Sequence, residues 1–262
     1  MLTSGQIAHF ETFGFLVLRQ VFSQAEVSSI QSEFDAVWSE ASGGRPWSGE
    51  TTESRQPFCE MSPPLTKLFA DDRVFGPVEQ LLGPNVIWGA SGATRYVGDS
   101  SWHADDYNGL LDTYRAIKVV MYLEPVEKDT GCLRIIPGSH HRSFYRELRP
   151  IDEQHSDLGR MPFSVPGRDT PGYPMETQPA DLLIFDTRAY HGAFGGEPGR
   201  SNIQMVYFPD PATDEEVETL RQIHDQTQYH LRVPESFLNS DRSRIRGMVS
   251  RLVELGFEST KV

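Results

Sequence analysis

The sequence has few cysteines and few basic residues, and each shortage argues against a class of protein. Its 262 residues include only two cysteines, Cys59 and Cys132, which stand in no paired spacing. We therefore expect no disulfide framework and no CxxC metal or redox site. Lys and Arg number 24 against 37 Asp and Glu, which gives a net charge of −13. Because such a chain repels phosphate groups, we expect neither nucleic acid nor an anionic membrane surface as a partner.

The sequence also lacks a hydrophobic run long enough to cross a membrane. Its apolar runs, such as 15–18, 119–123 and 182–185, span about five residues. A transmembrane helix needs about 18 or more. The first residues show no basic region followed by an apolar run, so we expect no signal peptide. These features predict a cytoplasmic protein.

Length and composition predict one folded domain over residues 1–262. The chain is 38% hydrophobic and 11% aromatic, and a chain of this size buries about 70% of its unfolded surface without disulfides. No internal repeat, low-complexity tract or break in composition divides it. Residues 1–84 are predicted to be a mostly helical support. Capping boxes begin at Thr3 and Ser23, a strand is predicted over 14–19, a surface loop over 41–63 and a helix over 64–82.

Strand signals dominate from residue 85 to residue 210. Short apolar runs bounded by Gly, Pro or Asp cover 86–96, 116–123, 132–136, 181–185 and 202–208. Their number and spacing predict an all-β sandwich or barrel. A Pro-rich polar insertion over 140–178 is predicted to act as a lid, because a long loop inside a compact domain is usually functional. Residues 211–262 are predicted to form a helical tail.

A His-x-Asp pair, His103 and Asp105, gives the clearest chemical signal. Residues i and i+2 of a strand share a face, so both side chains can bind one metal ion. His191 follows a strand signal and supplies a third ligand. Two imidazoles and one carboxylate on one face of an octahedron are the ligand set of non-haem Fe(II) oxygenases. A second pair, His155 and Asp157, lies in the polar insertion without a rigid platform and is the weaker candidate.

Arg200 stands nine residues after His191, across a Gly-rich turn, just before the last strand signal. We expect a hairpin that returns Arg200 to the side of His191. A guanidinium group binds a carboxylate through two parallel hydrogen bonds. Arg200 therefore suits the distal carboxylate of 2-oxoglutarate, and an ordinary surface arginine is the alternative.

Four stretches resemble the phytanoyl-CoA dioxygenase (PhyH-like) family of Fe(II)- and 2-oxoglutarate-dependent oxygenases. They are residues 10–18 (FETFGFLVL), residues 102–105 (WHAD), residues 129–140 (DTGCLRIIPGSH) and His191 with Arg200. The resemblance covers about residues 3 to 210, and GCLRIIPGSH is its most specific part. It implies a mainly β fold with flanking helices, built on a double-stranded β-helix, the cupin-like jelly roll.

The resemblance also implies roles for single residues. The catalytic iron ligands would be His103, Asp105 and His191. Arg200 would hold the C5 carboxylate of 2-oxoglutarate, and O₂ would be the oxidant. Family members carry a small hydroxyl residue close after the distal histidine, where this chain has Gly192 and Ala193.

Two further residues are candidates for cofactor binding. Lys118 lies in a strand signal and points either into the barrel, toward a carboxylate, or out to solvent. Trp102 either walls the cofactor pocket or is a core aromatic residue. Asp106 and Tyr107 either contact substrate or face water. We expect His140 and His141 to make structural hydrogen bonds, and His224 and His230 to be solvated or packed.

These patterns predict an Fe(II)- and 2-oxoglutarate-dependent dioxygenase that hydroxylates a C–H bond or closes a ring. A polar or cationic small molecule is favoured over a coenzyme A thioester, because an acidic chain repels the phosphates of coenzyme A. The acidic side chains of the insertion either recruit such a substrate or are simply solvated; they are Asp152, Glu153, Asp157, Asp169 and Glu176. Bacterial relatives suggest the biosynthesis of sugar-containing antibiotics of the aminoglycoside or orthosomycin type. A jelly-roll metalloenzyme without 2-oxoglutarate and a non-catalytic binding protein are the alternatives, and the oligomeric state is open.

Overall fold

Antiparallel strands form the centre of the protein. The structure, a computed structural model, describes residues 1–112, 114–152, 163–196, 198–227 and 229–260. Its strands are β1 (Phe15–Leu18), β2 (Glu53–Arg55), β3 (Ile87–Tyr96), β4 (Ser100–His103), β5 (Ile117–Tyr122), β6 (Leu133–Ile135), β7 (Tyr173–Pro174), β8 (Leu182–Asp186), β9 (His191–Ala193), β10 (Arg200–Phe208), β11 (Val233–Pro234) and β12 (Ser259–Thr260).

Two sheets account for ten of these strands. The larger has the order β1-β8-β5-β10-β3-β2 and the smaller the order β4-β9-β6-β7, and every pairing in both is antiparallel. Neighbours in each sheet are distant along the chain, as in a jelly roll. The predicted fold class, a mainly β double-stranded β-helix with flanking helices, is confirmed.

Eight helices of the described chain flank the sheets, and all but the one over Arg142–Leu148, which packs against the smaller sheet, cover the outer side of the larger sheet. They are α1 (Ser4–Phe13), α2 (Gln24–Ala41), α3 (Pro63–Phe69), α4 (Asp72–Leu82), α5 (Arg142–Leu148), α6 (Asp214–Thr227), α7 (Glu235–Leu238) and α8 (Ser243–Glu254), with 3₁₀ turns at Cys59–Met61, Leu110–Asp112, Arg149–Asp152 and Gly167–Asp169. Both predicted capping boxes are present, at Thr3 with Gln6 and at Ser23 with Glu26.

Strict alternation along β5 separates two cores. Val119 and Met121 pack with the helices in the main hydrophobic cluster, whereas Val120 and Tyr122 pack with residues of the smaller sheet. Successive side chains of a strand point to opposite faces, so one face of β5 meets the helices and the other faces the space between the sheets. Lys118 shares this second face with Val120 and Tyr122.

The structure differs from prediction in two N-terminal segments. The helix predicted over 64–82 is two helices, because Asp71 caps α4 by accepting a hydrogen bond from Arg73 N. The surface loop predicted over 41–63 contains β2 and a buried turn. Within this turn Glu60 is buried, and its carboxylate accepts hydrogen bonds from Trp88 Nε1 at 3.1 Å and from Ser91 N at 3.0 Å. Distant partners satisfy this carboxylate, so local composition could not reveal it.

The predicted insertion and tail are described only in part. The insertion contains α5, two 3₁₀ turns and β7, which pairs with β6. Its residues 153–162, which include the His155–Asp157 pair and Glu153, lie outside the described residues. The lid and the single domain stay predictions. Among the residues that the structure describes, no helix combines the length and the apolar character that crossing a bilayer requires.

Candidate active site

Two paired strands of the smaller sheet bring the predicted ligands together. β4 and β9 are antiparallel, with His103 directly opposite His191 and their ring centroids 4.3 Å apart. Asp105 lies just beyond the end of β4, where its backbone N donates to Thr187 O at 2.8 Å. Its carboxylate is 3.9 Å from His103 Nε2 and 3.4 Å from His191 Nε2. One ligand atom from each of the three residues lies within 4.8 Å of the others.

Backbone carbonyl groups fix the orientation of both imidazoles. Nδ1 of His103 is 2.8 Å from Ser101 O, and Nδ1 of His191 is 2.8 Å from Ala189 O. A carbonyl oxygen only accepts, so each Nδ1 carries the proton and donates it. The lone pair of each ring is therefore on Nε2, the atom that faces Asp105. Metal-binding histidines are commonly held by such a bond from the second nitrogen.

The surroundings favour the ligand form of these groups. Burial, together with His191, lowers the pKa of His103 to about 4, which keeps its imidazole neutral. Burial alone would raise the pKa of Asp105, but Lys118 and His191 outweigh it and hold that pKa well below its ordinary value. A neutral imidazole and an ionised carboxylate are the forms that bind a metal. The donor set, two nitrogens and one oxygen, fits Fe(II) in a facial arrangement.

Lys118 points into the space between the sheets. Its Nζ contacts Oδ2 of Asp105, and only 15% of its side chain is exposed. Of the two orientations considered from the sequence, the structure has the inward one. The alternation of β5 explains this, because Lys118 shares its face with the inward Val120.

Arg200 does not return beside His191 through a hairpin, so that prediction is wrong. Arg200 begins β10 of the larger sheet and lies opposite Tyr96, whereas His191 belongs to the smaller sheet. The intervening turn crosses from one sheet to the other. Arg200 shares its strand face with Asn202, and its Cζ lies 5.3 Å from the ring centroid of Tyr96. Since Tyr96 and Asn202 both line the central cavity, Arg200 lies beside that cavity's wall.

The guanidinium of Arg200 is buried in a cradle of backbone. Nη1 donates to Gly131 O at 2.5 Å and Nη2 donates to Gly98 O. Its Nε is buried without a hydrogen-bond partner among the described residues. A Cβ atom on Gly131 or Gly196 would collide with this guanidinium. The first glycine of the GCLRIIPGSH motif is thus explained by the close approach of Arg200.

Trp102 is not a wall of the cavity, which corrects its prediction as a cofactor-binding residue. It is fully buried, its Nε1 donates to Gly167 O at 2.7 Å, and its ring centroid is 5.7 Å from that of Phe194. Adjacent residues of a strand face opposite ways. Because His103 points toward the cavity, Trp102 points away from it and is a core aromatic.

A cavity of about 700 Å³ opens beside the three ligands. Most of its wall consists of uncharged polar side chains from both sheets and from the tail. Among the described lining residues, Lys118 is the only lysine or arginine, and Asp105 and Asp106 are the only carboxylates. Asp106 accepts a hydrogen bond from the Tyr145 hydroxyl of α5. The cavity therefore has little fixed charge beyond the Lys118–Asp105 pair.

Sequence reasoning missed the contribution of the tail to this cavity. Tyr229 and His230, which follow α6, line it together with Tyr107. His230 is 8% exposed, so of the two expected states, solvated or packed, the structure has the packed one, at the cavity. No local signal distinguishes these residues, because only the fold returns the tail to the ligand cluster.

Comparisons with known proteins agree with this architecture. The phytanoyl-CoA dioxygenase (PhyH) family profile matches residues 10–199. An ectoine dioxygenase from Bordetella bronchiseptica is 26% identical over 232 residues, which cover 79% of this chain and 75% of that protein. The structure is similar to HygX from Streptomyces hygroscopicus with nickel and 2-oxoglutarate bound (TM-score 0.64, 22% identity, 80% of this chain and 88% of that one). It is also similar to EctD from S. alaskensis with bound Fe (TM-score 0.61, 21% identity, 79% and 77%).

Proposed function

This chain belongs to the phytanoyl-CoA dioxygenase family and is an Fe(II)- and 2-oxoglutarate-dependent dioxygenase, and we propose that it oxidises a C–H bond of a small polar molecule. The class of enzyme and its cofactors, Fe(II), 2-oxoglutarate and O₂, are those predicted from the sequence. One observation carries the proposed site: the carbonyl bonds of His103 and His191 direct both Nε2 lone pairs toward Asp105.

In this proposal His103, Asp105 and His191 hold the iron. Bound iron supplies the activation of O₂ that couples decarboxylation of 2-oxoglutarate to oxidation of the substrate. The two histidines are fixed by bonds to Ser101 and Ala189, so their rings need no reorientation when the metal binds. The three protein ligands leave the cavity side open for cosubstrate and O₂.

Arg200 and Lys118 are the cations that we assign to 2-oxoglutarate. The cosubstrate carries two carboxylates, and the Nε of Arg200, beside the cavity wall, is buried with no hydrogen-bond partner among the described residues. A carboxylate there would complete the hydrogen bonds of its guanidinium. Lys118 places a second positive charge beside Asp105, near the metal end of the cavity. Ala193 lines the cavity where family members offer a hydroxyl, so β9 supplies no such contact.

The proposed reaction consumes one 2-oxoglutarate and one O₂ for each C–H bond. One oxygen atom enters succinate as CO₂ leaves, and the other enters the substrate as a hydroxyl or leaves as water after ring closure. The chain contributes ligation, orientation of the cosubstrate and a cavity that shields the reacting atoms from solvent.

The cavity wall supports a small polar substrate. Half of its lining residues carry an uncharged hydroxyl or amide group, and the negative chain disfavours the phosphates of a coenzyme A thioester. HygX has also been solved with hygromycin B bound, which supports our proposal of a role in the biosynthesis of sugar-containing antibiotics. A cytoplasmic location is part of the same proposal.

An anaerobic titration tests the site. Fe(II) and 2-oxoglutarate are added to the apo-protein, and the visible absorption of the chelate is recorded. We expect a weak band that disappears in His103→Ala and Asp105→Ala and persists in His9→Ala, since His9 is an exposed residue of α1. Arg200→Ala should retain iron and lose 2-oxoglutarate, whereas Arg246→Ala, exposed on α8, should retain both. Iron binding without a band would contradict the assigned cosubstrate site, and failure to bind iron would favour a binding protein.

A further inference from the structure

The turn after α6 is anchored so that two tail residues face the metal-ligand cluster. Leu231 has a left-handed backbone with φ 59°, and its N donates to Gly89 O of β3 at 2.6 Å. Nδ1 of His224 donates to His230 O at 2.8 Å. Both bonds hold the peptide group that joins His230 to Leu231, and on its other side His230 N donates to Thr227 Oγ1 at 3.2 Å. Tyr229 and His230 lie beyond residues 10–199, so they belong to the part of the chain that the family profile does not cover.

Three rings make one aromatic wall of the cavity. The ring centroids of Tyr107 and His230 are 5.2 Å apart with an edge-on geometry, and those of Tyr229 and His230 are 4.5 Å apart. Tyr107 follows Asp105 by two residues and has a φ of 53°. A non-glycine residue in this region is strained, and such strain is frequent at binding sites. This aromatic wall therefore begins beside a metal ligand and ends in the tail.

One polar atom of the aromatic wall is buried without a partner among the residues that the structure describes. That atom is Nδ1 of His230, a residue that is 8% exposed and finds no hydrogen-bond partner for this nitrogen in the described part of the chain. Among the residues that the structure describes, no side-chain hydrogen bond is formed by Tyr107, Tyr229 or His230. Buried polar groups are nearly always paired, by protein, water or ligand. A molecule in the cavity is the partner that this arrangement calls for.

The chemistry of the wall selects the kind of molecule. Burial and Lys118 lower the pKa of His230 to about 3, so its ring is neutral, with one donor and one acceptor nitrogen. Phenolic hydroxyls also donate and accept, and the neighbouring Asn108, Gln226 and Thr227 are uncharged. Phosphates and carboxylates are usually held by arginine or lysine, which this wall lacks in the described chain. Hydroxyl groups donate and accept in the same way as these side chains, and aromatic faces can cover the C–H face of a ring.

We propose that Tyr107, Tyr229 and His230 form a substrate subsite for an uncharged, hydroxyl-bearing ring of the sugar or cyclitol class. This inference rests on the proposed function, because the subsite matters for oxidation only if His103, Asp105 and His191 hold the iron opposite it. The tail then determines which ring reaches the metal, while the jelly roll supplies the cofactors.

Binding measured without turnover tests the subsite. The full chain is loaded with Ni(II) and 2-oxoglutarate, and myo-inositol, methyl glucoside and hygromycin B are titrated by saturation-transfer NMR. We expect at least one of them to bind the wild type, and Tyr229→Phe and His230→Gln each to weaken it by about tenfold, the effect of one lost hydrogen bond. Tyr173→Phe is the matched control, since Tyr173 is exposed and outside the cavity.

The same variants, loaded with Fe(II) instead of Ni(II), separate this inference from the proposed function. The anaerobic Fe(II)–2-oxoglutarate band should be unchanged in Tyr229→Phe and His230→Gln. If the band is absent in the wild type, the proposed function fails and the subsite fails with it. If the band is present but no probe binds, or the variants bind it as the wild type does, the subsite alone is overturned. Should His230→Gln fold poorly, Tyr229→Phe removes a single oxygen atom and still decides the question.

Discussion

Lys118, on β5, and Asp105, just after β4, form an ion pair inside the cavity although they are 13 residues apart along the chain. The pair keeps the carboxylate ionised and places the ammonium next to the open side of the ligand cluster. Burying two charges is costly unless they are well paired. Here each charge also has a proposed second task, metal binding for Asp105 and cosubstrate binding for Lys118.

Replacing Lys118 should separate these two tasks. In Lys118→Met we expect iron to bind while the apparent Kd for 2-oxoglutarate rises about tenfold, a loss typical of one charge-assisted hydrogen bond. The measurement is a 2-oxoglutarate titration of the iron-loaded protein without O₂. Lys118→Arg should restore part of the affinity, and Lys67→Met, exposed on α3, should have none of the effect. An unchanged Kd in Lys118→Met would remove Lys118 from the cosubstrate site.

A methyl group at Gly131 should disturb Arg200. Gly131 has a φ of 89°, and an added Cβ would meet the guanidinium of Arg200. Gly131→Ala should therefore weaken 2-oxoglutarate binding and lower the free energy of unfolding by about 1 kcal/mol or more. Urea denaturation and the 2-oxoglutarate titration measure the two effects.

Gly43→Ala is the control for backbone strain alone. Gly43 has a φ of 62°, and an added Cβ would meet nothing within 4 Å. The Gly43→Ala variant should have a lower free energy of unfolding than the wild type and the same affinity for 2-oxoglutarate. Equal affinities in both variants would show that the position of Arg200 does not depend on Gly131.

A feature of the site can be predicted from the sequence when the residues that determine it are close together along the chain. The convergence of the three proposed metal ligands was predictable, because His103 and Asp105 are two residues apart and His191 follows a recognisable strand. The orientation of Trp102 follows from the assignment of β4 as a strand, because side chains alternate between the two faces of a strand. His103 points into the cavity, so its neighbour Trp102 points away from it. Its proposed role failed because adjacent strand residues face opposite ways.

Features that depend on the tertiary path could not be predicted. A Gly-rich turn between two strand signals predicts a hairpin, yet the turn before Arg200 connects a strand of the smaller sheet to a strand of the larger one. Glu60 is buried by partners about 30 residues away. Tyr229 and His230 reach the cavity only because the turn after α6 is bonded to β3. In each case the deciding contact joins segments whose own composition gives no sign of it.

Metal binding should stabilise the fold if the three ligands converge as proposed. A metal at 100 times its Kd adds about 2.7 kcal/mol to the free energy of unfolding, which raises the Tm of a chain of this size by several degrees, about 5–10 °C. We expect this shift with Ni(II) in the wild type and its loss in His191→Ala. His141→Ala serves as the matched histidine control, because His141 is exposed and lies outside the cavity. A shift that survives in His191→Ala would place the metal elsewhere.

Acid should weaken the metal-free fold through His230. Its pKa in the folded chain is about 3, whereas an unfolded histidine titrates near 6.5. Between these two pKa values, the histidine is protonated in the unfolded chain and neutral in the folded chain. The contribution of neutral His230 to the free energy of unfolding is fully present above pH ~6.5 and declines by about 1.4 kcal/mol for each pH unit below that value. Urea denaturation in chelator at pH 7, 6 and 5 should give His230→Gln a shallower loss of stability than the wild type. Tyr229→Phe retains the imidazole and should follow the wild-type slope, so identical slopes in all three proteins would mean that His230 is not buried in its neutral form.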